Sequence, residues 1–393
     1  MPYTYAYYRK TKNKLVLLVA ILMIFCLFIL KTRSVLLAAL LLGLVYLFIE
    51  RWKLFLVTIP VFFLLITALY FFKEDSADGR LLIWKTSMGL IRENPIFGLG
   101  KNGFSKNYMI QQAEYFQANP GSEYSLLADQ VNHPFNEYIL WLIDYGVIAF
   151  SIICYSIIRW FKNIYFIYNI DKIVVFFILV ASLFSYTFKY YFVIVILVFC
   201  FSNVENCRLK FRIHVPRRMG ILLILIFVTT TCSMFIYIRS EIYWKAATNS
   251  IMFDEKKYLT LEKELHQISE FHHDLAYKLF EHGEYKKSIA QIEKYESMRV
   301  NYDVTLLKAF NFTSLGEHHK SSEHFFLAKY MVPSRFLPKY ELFRIYKEIY
   351  HDQEASINIA REIDQTPIKV KTDYTISVKS EVRKFLKEHK TTK

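Results

Sequence analysis

The feature that most constrains this chain is a series of apolar blocks punctuated by basic residues. The blocks lie at about 15–30, 35–49, 54–72, 136–158, 173–188, 190–204 and 219–238. Spanning a bilayer takes roughly 17–25 apolar helical residues, and tilt or trimmed ends accommodate shorter runs. A composition that is 54% hydrophobic and a mean hydropathy of +0.22 exclude an ordinary soluble protein. The pattern predicts an all-α, polytopic membrane helix bundle of about seven spans, bathed in membrane lipids.

The formal net charge of +14 does not point to nucleic acid, because many of the basic residues flank apolar blocks, where they set topology. Arg9, Lys10, Lys12 and Lys14 precede the first block. Arg51 and Lys53, then Arg159, Lys162 and Lys172, then Arg208, Lys210, Arg212, Arg217 and Arg218 follow at alternate connections. An odd number of spans puts all of these in the cytoplasm and leaves Arg33, the stretch 73–135 and the tail after 240 outside it. The expected organisation is N-terminal spans over 1–72, an outer loop carrying the site over 73–135, further spans over 136–240 and a soluble domain over 241–393. The five cysteines lie in or beside apolar runs with no paired spacing, so neither a disulfide framework nor a zinc site is indicated. No small-residue cleavage site follows the first block, so it does not read as a signal peptide.

Almost all site-like residues fall between 79 and 150. Arg80 and Trp84 stand four apart on a predicted helix, whose apolar stripe is Leu81, Trp84, Met88 and Ile91. Pro95 stops that helix, since the residue before a proline is pushed out of the α region. Then come a glycine-rich turn over 98–103, a polar loop, and His133, Pro134, Asn136 and Glu137 at the mouth of the next span. Ionisable residues clustered at a membrane mouth mark a candidate functional site. Gly98-x-Gly100-x-x-Gly103 matches the dinucleotide fingerprint in letters only, because no strand precedes it and no βαβ unit surrounds it. A tight turn after a helix suffices.

From about residue 241 the composition becomes polar and helix-forming. Residues 276–290 have the shape of a tetratricopeptide helix-turn-helix, and Gly283 recurs as Gly316, 33 residues on. A weaker third turn stands at His351-Asp352-Gln353. A period near 34 predicts stacked helix pairs that present a surface to a protein partner or acceptor. Residues 369–375 alternate like a short strand, followed by a terminal helix to about residue 387. Adjacent histidines on a helix point about 100° apart and cannot readily share an ion, so His272-His273 and His318-His319 are expected on solvated repeat surface.

Arg80-x-x-x-Trp84, the run from Asn94 to Phe104 (NPIFGLGKNGF), Asn136-Glu137-Tyr138-Ile139 and Asp144-Tyr145-Gly146-Val147-Ile148 together resemble the O-antigen ligase/polymerase superfamily. Lys31-Thr32-Arg33-Ser34 before a Leu/Ala-rich span is similar to that family's Ser-Arg element. The resemblance covers about residues 15–160, and many members carry a similar repeat tail. It implies a bacterial inner-membrane glycosyltransferase of lipopolysaccharide or polysaccharide biosynthesis, with its repeat domain in the periplasm. Its donor would be an undecaprenyl-diphosphate-linked glycan and its acceptor a lipid or protein hydroxyl. The resemblance implies neither a nucleotide sugar nor a metal. Arg33 and Arg80 would grip the diphosphate, Trp84, Asn136 and Glu137 would line the substrate, and His133 would take the acceptor's proton. Members commonly carry the histidine immediately before the asparagine; here Phe135 stands there and His133 is three residues upstream. Glu137 or the leaving diphosphate is the alternative proton acceptor.

Ligase, polymerase and protein O-glycosyltransferase share such a site, and one sequence does not separate their acceptors. A non-enzymatic membrane anchor presenting the repeats is the alternative from another class. A transporter is disfavoured by spans expected to carry few buried charges or breaks. Members usually carry further spans ahead of the Ser-Arg element, so a truncated or split gene, or a partner subunit, is expected to account for the helices that would pack beside spans one to three.

Overall fold

The structure, a computed structural model, describes residue 4 and residues 7–8, 11–29, 33–71, 74–162, 169–202, 217–250 and 252–389. The fold is all-α, with no strand among the described residues. The apolar blocks form α1 (Lys14–Ile29), α2 (Arg33–Glu50), α3 (Trp52–Phe71), α6 (Glu137–Phe161), α7 (Ile170–Ala181), α8 (Tyr191–Ser202) and α9 (Arg217–Thr248). Between α3 and α6 lie α4 (Glu74–Glu93) and α5 (Gly103–Ala118). Among the described residues, Glu137–Phe161 and Met219–Thr248 are each long and apolar enough to cross a membrane unaided. Apolar side chains face outward along them and along α3: Leu64 is 70% and Phe227 71% exposed. Such surfaces belong in lipid, and the chain is an integral membrane protein.

The fifth apolar block differs from the span expected over 173–188. Helix α7 has only 12 residues, about 18 Å at 1.5 Å per residue. It stops at Ala181, and residues 182–190 form a link containing a 3-10 turn, Thr187–Lys189. Hydroxyls satisfy polar groups at the break: Ser182 Oγ bonds the Ile178 carbonyl at 2.8 Å and lies 2.5 Å from Thr187 Oγ1. Glu137 completes it, donating its backbone N–H to the Ser182 carbonyl and accepting the Phe188 N–H on its carboxylate at 2.9 Å. Irregular backbone at membrane depth needs such partners from the protein itself.

The chain divides into two compact units. The first comprises Met1–Phe104 and His133–Arg208. Within it α2 packs on α3 and on α7, α4 on α6, and α7 on α8. The second comprises Ser105–Asn132 and Leu209–Lys393. Its hairpins are α11 (Ser269–Glu281) with α12 (Tyr285–Glu296), and α13 (Tyr302–Ser314) with α14 (His318–Met331). They are preceded by α10 (Glu255–Leu265) and followed by α15 (Leu337–Arg344), α16 (Gln353–Gln365) and α17 (Asp373–Glu388). Both hairpin turns are built alike. Gly283 and Gly316 adopt φ of +78° and +76°, where glycine carries no steric penalty. The next residue's N–H then closes back onto the helix, Glu284 to the Leu279 carbonyl and Glu317 to the Phe312 carbonyl, both at 2.9 Å. Ser288 and Ser321, also 33 apart, are both fully buried and bond across their hairpins, to the Ala276 carbonyl and to Thr313. The end of α9 is tied in through Asp274, whose Oδ2 accepts from Trp244, Thr248 and Tyr258 at 2.8 Å each.

Three expectations about this unit are corrected. Residues 369–375 are not a strand; they lead into α17, whose N-cap Thr372 forms a capping box with Thr375. His272 is not solvated. It is 1% exposed, with Nδ1 2.7 Å from Gln291 Oε1 and Nε2 3.0 Å from the His266 carbonyl. The polar loop after the glycine turn is instead the helix α5, with Tyr108, Met109, Gln112, Ala113 and Phe116 buried. Its residues 105–132 belong to the repeat unit: Gln112 Nε2 donates to the Met331 carbonyl at 2.6 Å, and the Val300 N–H to the Ser105 carbonyl at 3.0 Å.

Candidate active site

Helix α4 opens with Glu74 and Asp75 and closes with Arg92, charges that complement its dipole. Its packed face is Leu82, Ile83, Thr86, Ser87 and Leu90, turned by a residue from the expected stripe. Leu81 and Met88 are 46% and 40% exposed. Packing against α6 selects the observed face. That rotation leaves Arg80 and Trp84, one turn apart, at its edge and half-buried.

Both clamp the segment that enters α6. Trp84 Nε1 donates to the Pro134 carbonyl at 2.9 Å. The Arg80 guanidinium lies 5.3 Å above the Phe135 ring, and Nη1 donates to the Phe184 carbonyl at 3.0 Å. Phe135 has φ of +53°, an uncommon conformation for a bulky residue and one that marks a constrained position. Tyr186 joins the two sides: its ring lies 5.4 Å from that of His133, nearly parallel at 26°, and 5.7 Å from that of Phe135. Lys189 Nζ stands 5.7 Å from the same ring. Arg80 and His133 are thus brought to one cluster by way of Phe135 and Tyr186, with Trp84 holding the adjacent Pro134 carbonyl.

Asn136 and Glu137 take structural parts. Asn136 Oδ1 caps α6, accepting the N–H groups of Tyr138 and Ile139 at 2.9 and 3.1 Å. Glu137 is 3% exposed and holds the 182–190 link as described above. The side chain of Arg33 lies outside the described residues. Its backbone opens α2, and Ala38 on that helix packs against Val180 and Ala181, immediately before the link. Sequence reasoning missed Phe184, Tyr186 and Lys189. The signal was present: Ser182, Ser185, Thr187 and Lys189 interrupt the apolar run within eight residues.

The glycine-rich turn is docked backbone to backbone on α6. Leu99 N–H bonds the Ile143 carbonyl at 2.7 Å, Gly100 N–H the Asp144 carbonyl at 2.9 Å, and Val147 N–H the Pro95 carbonyl at 2.9 Å. Asp144, 8% exposed, accepts the Phe104 N–H on Oδ1 at 3.0 Å, at the start of α5. Gly98 and Gly146 adopt φ of +73° and +70°, and a Cβ on Gly98 would stand 2.6 Å from the backbone of Asp144 and Gly146. Gly146, with ψ of −178°, interrupts α6. The spans therefore do contain a break and buried carboxylates, contrary to the expectation used against a transporter.

No curated protein and no solved structure matches the chain. A family model does, described as O-antigen ligase and covering residues 18–154, which include α2–α5, the docked glycine turn and the clamped 133–137 segment. Residues 18–154 of the membrane part are accordingly similar to the O-antigen ligase family, a likeness that points in general terms to ligase-like glycosyl transfer.

Proposed function

We propose that the membrane part moves a glycan from an undecaprenyl-diphosphate carrier to an acceptor hydroxyl at the periplasmic face of the inner membrane. The observation that carries the reading is the convergence of Arg80 and His133 on the Phe135–Tyr186 cluster in a chain whose residues 18–154 are similar to the O-antigen ligase family. In the reaction the acceptor oxygen attacks the anomeric carbon. The bond from that carbon to the diphosphate oxygen breaks, and the diphosphate leaves with the electron pair. Arg80, together with Arg33, grips it through planar, bidentate, charge-assisted hydrogen bonds that strengthen as negative charge develops. The His133 imidazole, its face packed on Tyr186, takes the acceptor proton. Glu137 is committed to the 182–190 link and is replaced in this role by His133. No metal or nucleotide sugar is required, because two guanidiniums supply the charge that a divalent ion would otherwise provide. Holding a lipid-borne donor and an acceptor together at the bilayer surface contributes much of the remaining acceleration.

The placement outside the cytoplasm rests on the basic clusters and on one internal relation. Residues 105–132 and the repeats form a single unit, so the loop and the tail occupy the same side of the membrane. The acceptor is a lipid, a growing polymer or a protein, and the repeats are the surface that receives it or a protein partner.

The test is transfer in proteoliposomes loaded with the lipid-linked donor. Arg80→Ala abolishes transfer with the protein folded. Arg80→Lys lowers it tenfold or more, a loss of about 1.4 kcal/mol of transition-state stabilisation. His133→Gln lowers it with a flattened pH profile. Wild-type rates from Arg80→Ala would remove the transferase reading.

A further inference from the structure

The repeat unit contains a pocket that the transfer chemistry does not use. It opens to solvent and has a volume of about 380 Å³, within the range of roughly 300–1,000 Å³ typical of small-molecule sites. One wall comes from residues 105–132, through Phe116 and Leu126, and the rest from α14–α16 and the turns beside them.

Its lining carries two lysines almost wholly withdrawn from water, Lys329 at 6% and Lys339 at 4% exposure. Both turn to a single carboxylate. Lys329 Nζ stands 2.6 Å from Glu362 Oε2, and Lys339 Nζ stands 3.4 Å from Glu362 Oε1 and donates to Thr366 Oγ1 at 2.7 Å. Two ammoniums on one carboxylate leave a net positive charge at a buried site. Burial draws the Lys339 ammonium below its ordinary range although Glu362 opposes the shift, and Lys329 and Lys379 add to the lowering. Lysines are rarely this buried unless fully paired. A second anion would complete the set, and the pocket gives it a route in. Beside the charges, the ring of Tyr330 lines the same pocket, 4.7 Å from Lys329 Nζ, with Pro120, Pro333 and Pro367 nearby. A flat ring next to buried cations suits a pyranose bearing an acidic substituent.

We propose that this pocket binds an anionic sugar, taking a carboxylate or phosphate ester of a glycan onto Lys329 and Lys339 and packing the sugar on Tyr330. The oxyanion part stands on the charge arrangement alone, whereas the glycan part rests on the transferase reading above. Carboxylate and phosphate ester are two sources of one chemistry, and the assay separates them.

The full chain in detergent or nanodiscs is titrated calorimetrically with glucuronate, glucose 6-phosphate, glucose and inorganic phosphate. Glucuronate or glucose 6-phosphate binds, the tighter of the two naming the acidic group, and glucose does not. Lys329→Met weakens that binding at least tenfold. Tyr330→Leu keeps both charges and weakens the acidic sugar while sparing inorganic phosphate, which guards against a lysine variant that folds poorly. Arg80→Ala binds like the wild type while transferring nothing, so a failure of the pocket and a failure of the transferase reading show separately. Absence of binding by both acidic sugars overturns the proposal. So does inorganic phosphate binding as tightly as glucose 6-phosphate, which would mark an adventitious ion only.

Discussion

Replacing Gly98 with alanine tests whether the glycine-rich turn is a docking surface for α6. Two costs add. At φ of +73° a Cβ costs about 1–2 kcal/mol from local sterics alone. The new methyl would also stand 2.6 Å from the backbone of Asp144 and Gly146, where carbon contacts prefer roughly 3.5–4.0 Å. Neither side of that contact is a flexible side chain, so the turn must retreat by about 1 Å. The hydrogen bonds from Leu99, Gly100 and Val147 across the same seam, at 2.7, 2.9 and 2.9 Å, would stretch beyond useful geometry. At about 1 kcal/mol each, their loss brings the total to about 4–5 kcal/mol. At roughly 2–4 °C per kcal/mol for a domain of this size, the melting temperature falls by about 8–20 °C. The assay is thermal unfolding of the purified protein in detergent, with transfer activity measured below the transition. Gly146→Ala should cost a similar amount, and the double variant less than the sum because both break one seam. Gly121→Ala, at an exposed glycine with open space around its Cβ position, is the control. A Gly98→Ala protein that melts within 2–3 °C of the wild type, about 1 kcal/mol, and stays active would refute the docking argument.

Three further outcomes are expected. Trp84→Phe leaves the Pro134 carbonyl without its donor, and should lower stability by roughly 1–2 kcal/mol and reduce transfer, read in the same two assays. In the repeats, burial beside Lys308 pushes the His324 imidazole down to about 4. The unfolded chain then binds more protons between pH 4 and 6.5, so stability is complete above pH 6.5 and is lost toward pH 4, by roughly 2 kcal/mol after discounting for partial exposure. Urea unfolding of the full chain at pH 7 and pH 5 checks this, the loss of stability at pH 5 being smaller in His324→Gln by about that amount; an unchanged loss would refute it. A periplasm-active reporter fused after residue 393 should be active and a cytoplasm-active one silent; the reverse pattern would invert the topology.

What could be read from the sequence depended on how local its cause was. The hairpin turns were legible because Gly283 and Gly316 sit just past helix ends, where a left-handed residue is needed, and nothing distant is involved. Helix α4 was legible in extent, since Pro95 and its terminal charges are adjacent to it. Its buried face was not, because the choice between Leu82/Ile83 and Leu81/Trp84 is made by α6, more than 40 residues away. The 182–190 link looks like span in the sequence because average hydropathy outweighs three hydroxyls, and the Glu137 carboxylate that stabilises the break is remote in sequence. Helix α5 escaped notice because its partners, such as the Met331 carbonyl, lie over 200 residues downstream. Of the site, Arg80, Trp84 and His133 are visible as residues in the sequence, whereas Tyr186, the ring that joins His133 to Phe135, lies in the 182–190 link, which average hydropathy hides.

The same long reach of α5 fixes an order of events during synthesis. Gln112 is separated from Met331 by 219 residues, a delay of about 10–45 s at bacterial-to-eukaryotic elongation rates. Through that interval Tyr108, Met109 and Phe116 have no repeat to cover them, and four further apolar blocks must enter the bilayer. Maturation is therefore not vectorial. The 105–132 segment waits for the C-terminal repeats with which it forms one compact unit. A ribosome stalled within α13 would leave this segment open to protease, and quality control could distinguish finished from unfinished chains by that segment alone.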